Sequence, residues 1–354
     1  MIINHNYFLK LAFQLAEQNI GKTGLNPSVG SVVVKNNSVI SSGVTSINGR
    51  PHAEFNALNN IKNTAGSTLY TSLEPCVHYG ITSPCTKIII KKKIKNVFYG
   101  LEDPDLRTFK KAKKILNKKG IQAKLVKSKK FENFYRSYII NKKFGIPFIS
   151  AKIALSKDYY SINKKKKWIS NIFSRKITHL IRSQHDGIIS TSKTINSDNA
   201  LLNCRIDGLN QFKPDLFIID LNLKLKKNLL LNRILKKRKK YLITYKTNSK
   251  KTQAYKKKGY KIIYINSLVN KNDFKLLYKK IYKMGYSRVL VETGLTFLNN
   301  LIKNKIIDDL YIFKTNFNLK KKGKNNATLK YLKNISSKPI SINLDNDKLY
   351  KKEF

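Results

Sequence analysis

Three short segments constrain this chain more than any other feature: PHAEF at 51–55, EPC at 74–76 and SPC at 83–85. A catalytic zinc takes three protein ligands and keeps a fourth position open for water. His52, Cys76 and Cys85 supply such a set, and their two thiolates offset the charge of the metal. A water on such a metal ionises near neutral pH. Glu54, two residues after His52 and near a helix start, can take that proton and hand it to departing ammonia. Each residue alone has a plainer explanation. A histidine near a helix start is a cap or surface group, a lone cysteine a small buried hydrophobe, a first-turn glutamate a partner for the helix dipole. In combination, His-Ala-Glu opening a helix, Pro-Cys at a strand end and Pro-Cys opening another helix form the pattern of zinc-dependent deamination.

The periodicity around these segments reads as α/β. Residues 5–18 place Phe8, Leu9, Ala12, Phe13 and Ala16 at helical spacing. Strands at Val29–Val34 and Ser38–Ser42 flank the turn residues Asn36 and Asn37. A helix follows at His52–Lys62, a strand at Thr68–Thr71, a helix at Cys85–Lys92 and a strand at Val97–Tyr99. A helix at Lys110–Lys119 and a strand at Gln122–Val126 complete the set, which implies helices on a largely parallel sheet. The basic, aromatic stretch 127–146 reads as one connecting helix. A second α/β series begins after it, with strands at Phe148–Leu155, Gly187–Ser190, Leu216–Asp220, Lys240–Thr244, Lys261–Ile265, Arg288–Glu292 and Leu310–Phe313. Helices are expected at Ser174–Ser183, 271–283 and 295–304. With 354 residues the chain is long enough for two domains, 1–146 and 147–354. Residues 318–354 show no placeable pattern.

Composition sets further bounds. The formal charge of +51 would suit a polyanion partner, but the basic residues are overwhelmingly lysine, with nine arginines in the chain. Readers of bases and phosphates favour the planar fork of arginine. The scattered Lys, Asn, Ile, Tyr and Phe read as compositional drift under AT-biased coding, and no dedicated nucleic-acid partner is expected. Three cysteines, Cys76, Cys85 and Cys204, argue against a disulfide framework and for a reducing compartment. No leader or membrane span is legible, so a cytoplasmic enzyme without a membrane partner is expected.

With these residues in view, the chain resembles the bifunctional riboflavin-biosynthesis family, a pyrimidine deaminase fused to a pyrimidine reductase, from about residue 5 to about 315. The most specific feature is PCVHYGITSPC, where eight residues separate the two cysteines; nucleoside and tRNA deaminases place theirs two residues apart. NPSVGSVVV at 26–34 and Asp103-Pro104 are also similar. The resemblance implies a cytidine-deaminase-like three-layer domain followed by a dihydrofolate-reductase-like α/β domain. It implies zinc on His52, Cys76 and Cys85, Glu54 as the proton shuttle and Asn26 in the substrate pocket. The substrate would be a phosphorylated diamino-ribosylamino-pyrimidinone, deaminated and then reduced by NADPH from ribosyl to ribityl.

In the second half AKIALSKD at 151–158, LIRSQHDGII at 180–189, TINSDNALLNCR at 194–205 and VETGLTF at 291–297 resemble the reductase. By that resemblance Lys152, Arg182, Leu202, Arg205 and Glu292 would meet the substrate, and Ala154, Trp168, Thr194, Asp198 and Gly294 the NADPH. Gly294 before a helix would let backbone approach a diphosphate, and Arg182 and Arg205 would suit a substrate phosphate. A homo-oligomer is also implied. Departures from the family pattern fall at His78, Tyr79 and Ile81 in the cysteine loop. Others fall around Lys110 and Ala112, where glycines are usual, at Tyr159, also a glycine position, and at Lys166, Ala200 and Thr293. Three rivals remain. One keeps the deaminase and reduces the second domain to an eroded scaffold. Another is a nucleic-acid deaminase. The third is a basic RNA-binding module whose structural zinc would need a fourth ligand, with His78 the candidate.

Overall fold

The structure, a computed structural model, describes residues 4–209, 214–234, 238–333 and 338–354. They form two compact units, Met1–Ile146 and Pro147–Phe354.

In the first unit Asn4 caps α1 (His5–Glu17) by accepting the Asn6 amide, and the helix buries Phe8, Leu9, Ala12, Phe13 and Ala16. The strands β1 (Gly30–Lys35) and β2 (Ser38–Val44) form an antiparallel hairpin. Asn36 and Asn37 turn it at φ 50° and 60°, the left-handed pair that matches strand twist. Then come α2 (Ala53–Asn59), β3 (Thr68–Thr71), α3 (Cys85–Lys91), β4 (Asn96–Tyr99), α4 (Ala112–Asn117), β5 (Gln122–Leu125), α5 (Lys129–Phe134) and α6 (Arg136–Phe144). The sheet runs β2-β1-β3-β4-β5. It is antiparallel through β3 and parallel beyond it, so mixed where the sequence suggested largely parallel.

Alternation along β1 splits the core into two layers. Val32 and Val34 join Phe8, Phe13, Phe131, Tyr135 and Tyr138 on one face. Val33 joins Leu58, Ile89 and Leu116 on the other. Helices α1, α5 and α6 thus cover one side and α2, α3 and α4 the opposite one, giving three layers. Helix α1 lies so close to β1 that a Cβ on Gly30 would meet the Ala12 carbonyl oxygen at 2.0 Å.

The expected single helix over 127–146 is two helices. Tyr135, at φ −89° and ψ 7°, breaks them apart, and its hydroxyl donates to the Ser28 carbonyl at 3.1 Å. The segment belongs to the core of the unit. Helix α4 also starts later than expected, because Lys110 takes φ 59°.

The second unit contains β6 (Phe148–Leu155), β7 (Tyr160–Asn163), α7 (Ile172–Ser183), β8 (Gly187–Thr191), α8 (Ser192–Asp198), β9 (Asp215–Ile219), α9 (Leu230–Ile234), β10 (Lys240–Tyr245) and α10 (Gln253–Lys257). It continues with β11 (Tyr260–Ile265), α11 (Lys271–Lys283), β12 (Arg288–Val291), α12 (Leu295–Lys303), β13 (Asp309–Lys314), β14 (Gly323–Asn326), α13 (Lys330–Lys333) and β15 (Lys348–Glu353). The eight-stranded sheet runs β11-β10-β9-β8-β12-β6-β13-β15, parallel except at the β13–β15 edge. Leu216 and Ile218 of β9 face one core cluster. Phe217 between them stacks on Tyr241 at 4.6 Å on the other side. Residues 318–354, opaque in sequence, supply β14 against β7 and β15 against β13. Asp158 accepts the Leu319 and Lys320 amides and so ties this segment to the end of β6.

Candidate active sites

In the first unit two helix starts and a strand exit converge. His52 is the N-cap of α2, Cys85 opens α3 behind Pro84, and Cys76 lies in the loop leaving β3. His52 Nδ1 is 3.6 Å from Cys76 Sγ and 3.4 Å from Cys85 Sγ. The Cys85 amide donates to Cys76 Sγ at 3.2 Å, a bond that favours a thiolate there. The three ligand atoms lie within 4.8 Å of one another, and no fourth His, Cys, Asp or Glu joins the group among the described residues. This nitrogen and sulfur donor set fits a zinc with an open position. His78 does not close it: its Nδ1 pairs with Thr108 Oγ1 at 3.0 Å.

Glu54 is 3 % exposed. Burial, then the negative Cys76, raise its carboxyl to about 7, while the charge of His52 opposes the rise. A buried carboxyl beside three ligand atoms, yet outside their group, has the placement of a proton carrier. Asn26 donates to the Gly49 carbonyl at 3.2 Å, which sets it on the segment leading into His52. Arg50 hydrogen-bonds Thr82 and so holds the cysteine loop.

One residue of this site escaped the sequence reading. Glu74, buried, accepts the Asp103, Lys110 and Ala112 amides at 3.0, 3.1 and 2.9 Å. It anchors the Asp103-Pro104 loop two residues from Cys76. Its only signal was an acid directly before Pro-Cys. Asp103, raised to about 6 by burial, accepts the Tyr138 hydroxyl at 3.1 Å.

In the second unit one expected substrate residue, Glu292, lies just beyond the carboxyl end of the parallel strand β12, where such sheets bind ligands. Arg182 of α7 forks onto it, Nε to Oε1 at 2.5 Å and Nη2 to Oε2 at 2.9 Å. Burial pushes the Glu292 carboxyl up, but Arg182 dominates and holds it at about 2. Arg182 Nη1 also donates to the Asn203 carbonyl at 3.1 Å. The guanidinium is therefore occupied within the protein, and a substrate phosphate would have to share it. Arg205, exposed, donates to Asn203 Oδ1 at 2.7 Å. Lys152 of β6 has its ammonium pKa lowered by burial, with Glu292 and Asp198 opposing. Ala154, two residues along the same strand, packs on the core cluster, as does the buried Leu202.

Thr194 and Gly294 meet directly. The Gly294 amide donates to Thr194 Oγ1 at 3.3 Å. Gly294 caps α12, and a Cβ built on it would reach nothing within 4 Å. That open helix start fits a diphosphate. Asp198 ends α8 and so is not an N-cap. Trp168 is 52 % exposed, with Lys167 and Arg175 each 5.3 Å from its ring, so it is not a core residue.

Fold and sites together define a two-part enzyme, a zinc deaminase joined to a reductase. Residues 2–101 match the cytidine and deoxycytidylate deaminase zinc-binding region, and residues 147–315 match the RibD C-terminal domain. The chain is 30% identical to riboflavin biosynthesis protein RibD of Aquifex aeolicus over 319 residues, 88% of this chain and 86% of that one. It is 34% identical to RibD of Bacillus amyloliquefaciens over 222 residues, 61% of this chain but only 59% of that one. Acinetobacter baumannii RibD shares its fold, with a TM-score of 0.83 at 24% identity over 98% of both chains. The chain belongs to the RibD family of riboflavin biosynthesis proteins. It is a bifunctional deaminase and reductase that uses zinc and NADPH. Among the described residues no helix is long and apolar enough to cross a membrane.

Proposed function

We propose that the first unit removes the 2-amino group of 2,5-diamino-6-ribosylamino-4(3H)-pyrimidinone 5′-phosphate and that the second reduces the ribosyl group of the product to ribityl. The observation that carries this reading is the convergence of His52, Cys76 and Cys85 beside a buried Glu54.

His52, Cys76 and Cys85 would hold the zinc, which would supply Lewis acidity toward a water. Glu54 would take a proton from water at its carboxylate and deliver it to the amine that leaves as ammonia. Asn26 orients the pyrimidine. In the second unit NADPH supplies the hydride. Gly294 and Thr194 receive its diphosphate, while Ala154, Trp168 and Asp198 contact the rest of the dinucleotide. Lys152 and Glu292 orient the sugar, and Leu202, Arg205 and Arg182 receive the end that carries the phosphate. Three free thiols suit a reducing cytoplasm. The working form is a homo-oligomer, and the lysine excess serves no nucleic-acid partner.

The test supplies the diamino substrate to purified protein with and without NADPH and identifies the products by mass. We expect exchange of one amino group for oxygen without NADPH, and two further hydrogens with it. An unchanged substrate overturns the reading. Deamination without reduction would leave the second unit as a scaffold.

A further inference from the structure

Arg238 lies two residues before β10 in the run KKRKK at 236–240, and it is 4 % exposed. An arginine that far from water must spend its donors on protein acceptors. It does so on backbone carbonyls: Nε donates to Pro214, Nη1 to Leu201 at 2.6 Å and Nη2 to Leu202 at 2.9 Å. Leu202 sits at φ 49°, in the left-handed region. For a leucine, with its Cβ, that conformation is strained. The two carbonyls that Arg238 holds belong to the peptide units on either side of the Leu202 Cα. Both planes that define the strained turn are therefore pinned by one guanidinium.

The turn leads straight into the substrate side of the reductase. Asn203, the next residue, is gripped from the other flank: its carbonyl accepts Arg182 Nη1 and its side-chain oxygen accepts Arg205 Nη1. Residues 201–205 are thus strung between two buried guanidinium groups, one of which is joined to Glu292. Release of the Leu202 turn would swing Asn203, and Arg205 with it.

We infer that Arg238 is a positioning residue of the reductase, fixing the turn at Leu202 and through it the aim of Arg205. This rests on the reading above that Arg205 faces the substrate.

The experiment uses the full chain as wild type, Arg238→Met, Arg238→Lys and Arg205→Ala. Reductase kcat, the KM for the deaminated substrate, the KM for NADPH and deaminase turnover are measured on each. Arg238→Met should raise the substrate KM about tenfold with kcat nearly kept, the signature of lost uniform binding. The NADPH KM and the deaminase turnover should stay within about twofold, since neither site uses the 201–205 turn. Arg238→Lys, which keeps the charge but not the fork, should fall between. A merely structural role would lower kcat and raise both KM values together, and that result overturns the inference. So does an unchanged substrate KM in Arg238→Met while Arg205→Ala raises it. If Arg205→Ala also leaves the KM unchanged, the substrate-side reading itself fails. Should Arg238→Met not fold, Arg238→Lys decides: a wild-type substrate KM there overturns the positioning role.

Discussion

Arg182 and Glu292, 110 positions apart in the chain, meet as a two-pronged ion pair that is nearly dry on both sides. Removing one member of such a pair leaves the other buried and uncompensated, at a cost of roughly 3–5 kcal/mol. Glu292→Gln should therefore lower the unfolding midpoint of the second unit in denaturant and leave deaminase turnover intact. The pair also sets a pH dependence. The folded carboxyl is held at about 2 against an ordinary 4.5. Its contribution is complete above 4.5 and disappears as pH falls toward 2. Wild type should lose stability across that window, and Glu292→Gln should lack that component. Identical acid profiles for the two proteins would contradict the pairing.

Glu54 stands beside the proposed metal ligands without being one of them. Ligation and proton transfer should then separate on mutation. Glu54→Gln should keep one zinc per chain by elemental analysis while deamination falls by roughly 10²–10⁴-fold, the scale of a lost general acid–base group. NADPH oxidation with the deaminated substrate should be unchanged. Near-normal deamination by this variant would move the proton carrier elsewhere.

Glu74 makes a different demand, because its carboxylate accepts three buried or half-buried amides. Each amide left without a partner costs about 1–3 kcal/mol. Glu74→Ala should destabilise the first unit by several kcal/mol. Glu74→Gln, which keeps one acceptor oxygen but places a donor where the other was, should lie between it and wild type. Chemical denaturation followed by aromatic fluorescence would rank the three. Equal stability of all three would remove Glu74 as the anchor of the Asp103 loop.

How far the chain could be read in advance follows from what each residue contacts. The helix at Lys271–Lys283 and the strands at Thr68–Thr71 and Phe148–Leu155 have the bounds expected of them, because their apolar periods run unbroken between clear turn residues. The proposed zinc ligands were legible because each stands beside a proline or opens a helix. Strand β15 was hidden: KLYKKE carries charges suited to the edge of a sheet, which masks its alternation. The break at Tyr135 depends on a hydroxyl reaching Ser28, 107 positions away, which no local pattern records. Arg238 was lost in a run of lysines, because a row of basic residues does not record which of them is buried; this one is 4 % exposed.

Two departures from the family pattern have a backbone consequence. Lys110 and Tyr159, both at expected glycine positions, take φ 59° and 67°. A side chain in that region costs about 1–2 kcal/mol, while glycine gives back roughly 0.5–1 kcal/mol through its freer unfolded chain. Tyr159 recovers part of its cost through its hydroxyl, which donates to the Lys333 carbonyl at 3.0 Å and accepts from Lys314 at 2.9 Å. Lys110 is exposed, with Glu102 4.0 Å from its ammonium, and its tie to Glu74 is made by the amide, which any residue keeps. Lys110→Gly should therefore stabilise the first unit by about 0.5–1 kcal/mol in denaturant unfolding. Lys110→Ala is the control: it removes the same charge from a chain of net +51 but keeps a Cβ in the left-handed region. An equal gain in both variants would assign the effect to charge and not to the backbone.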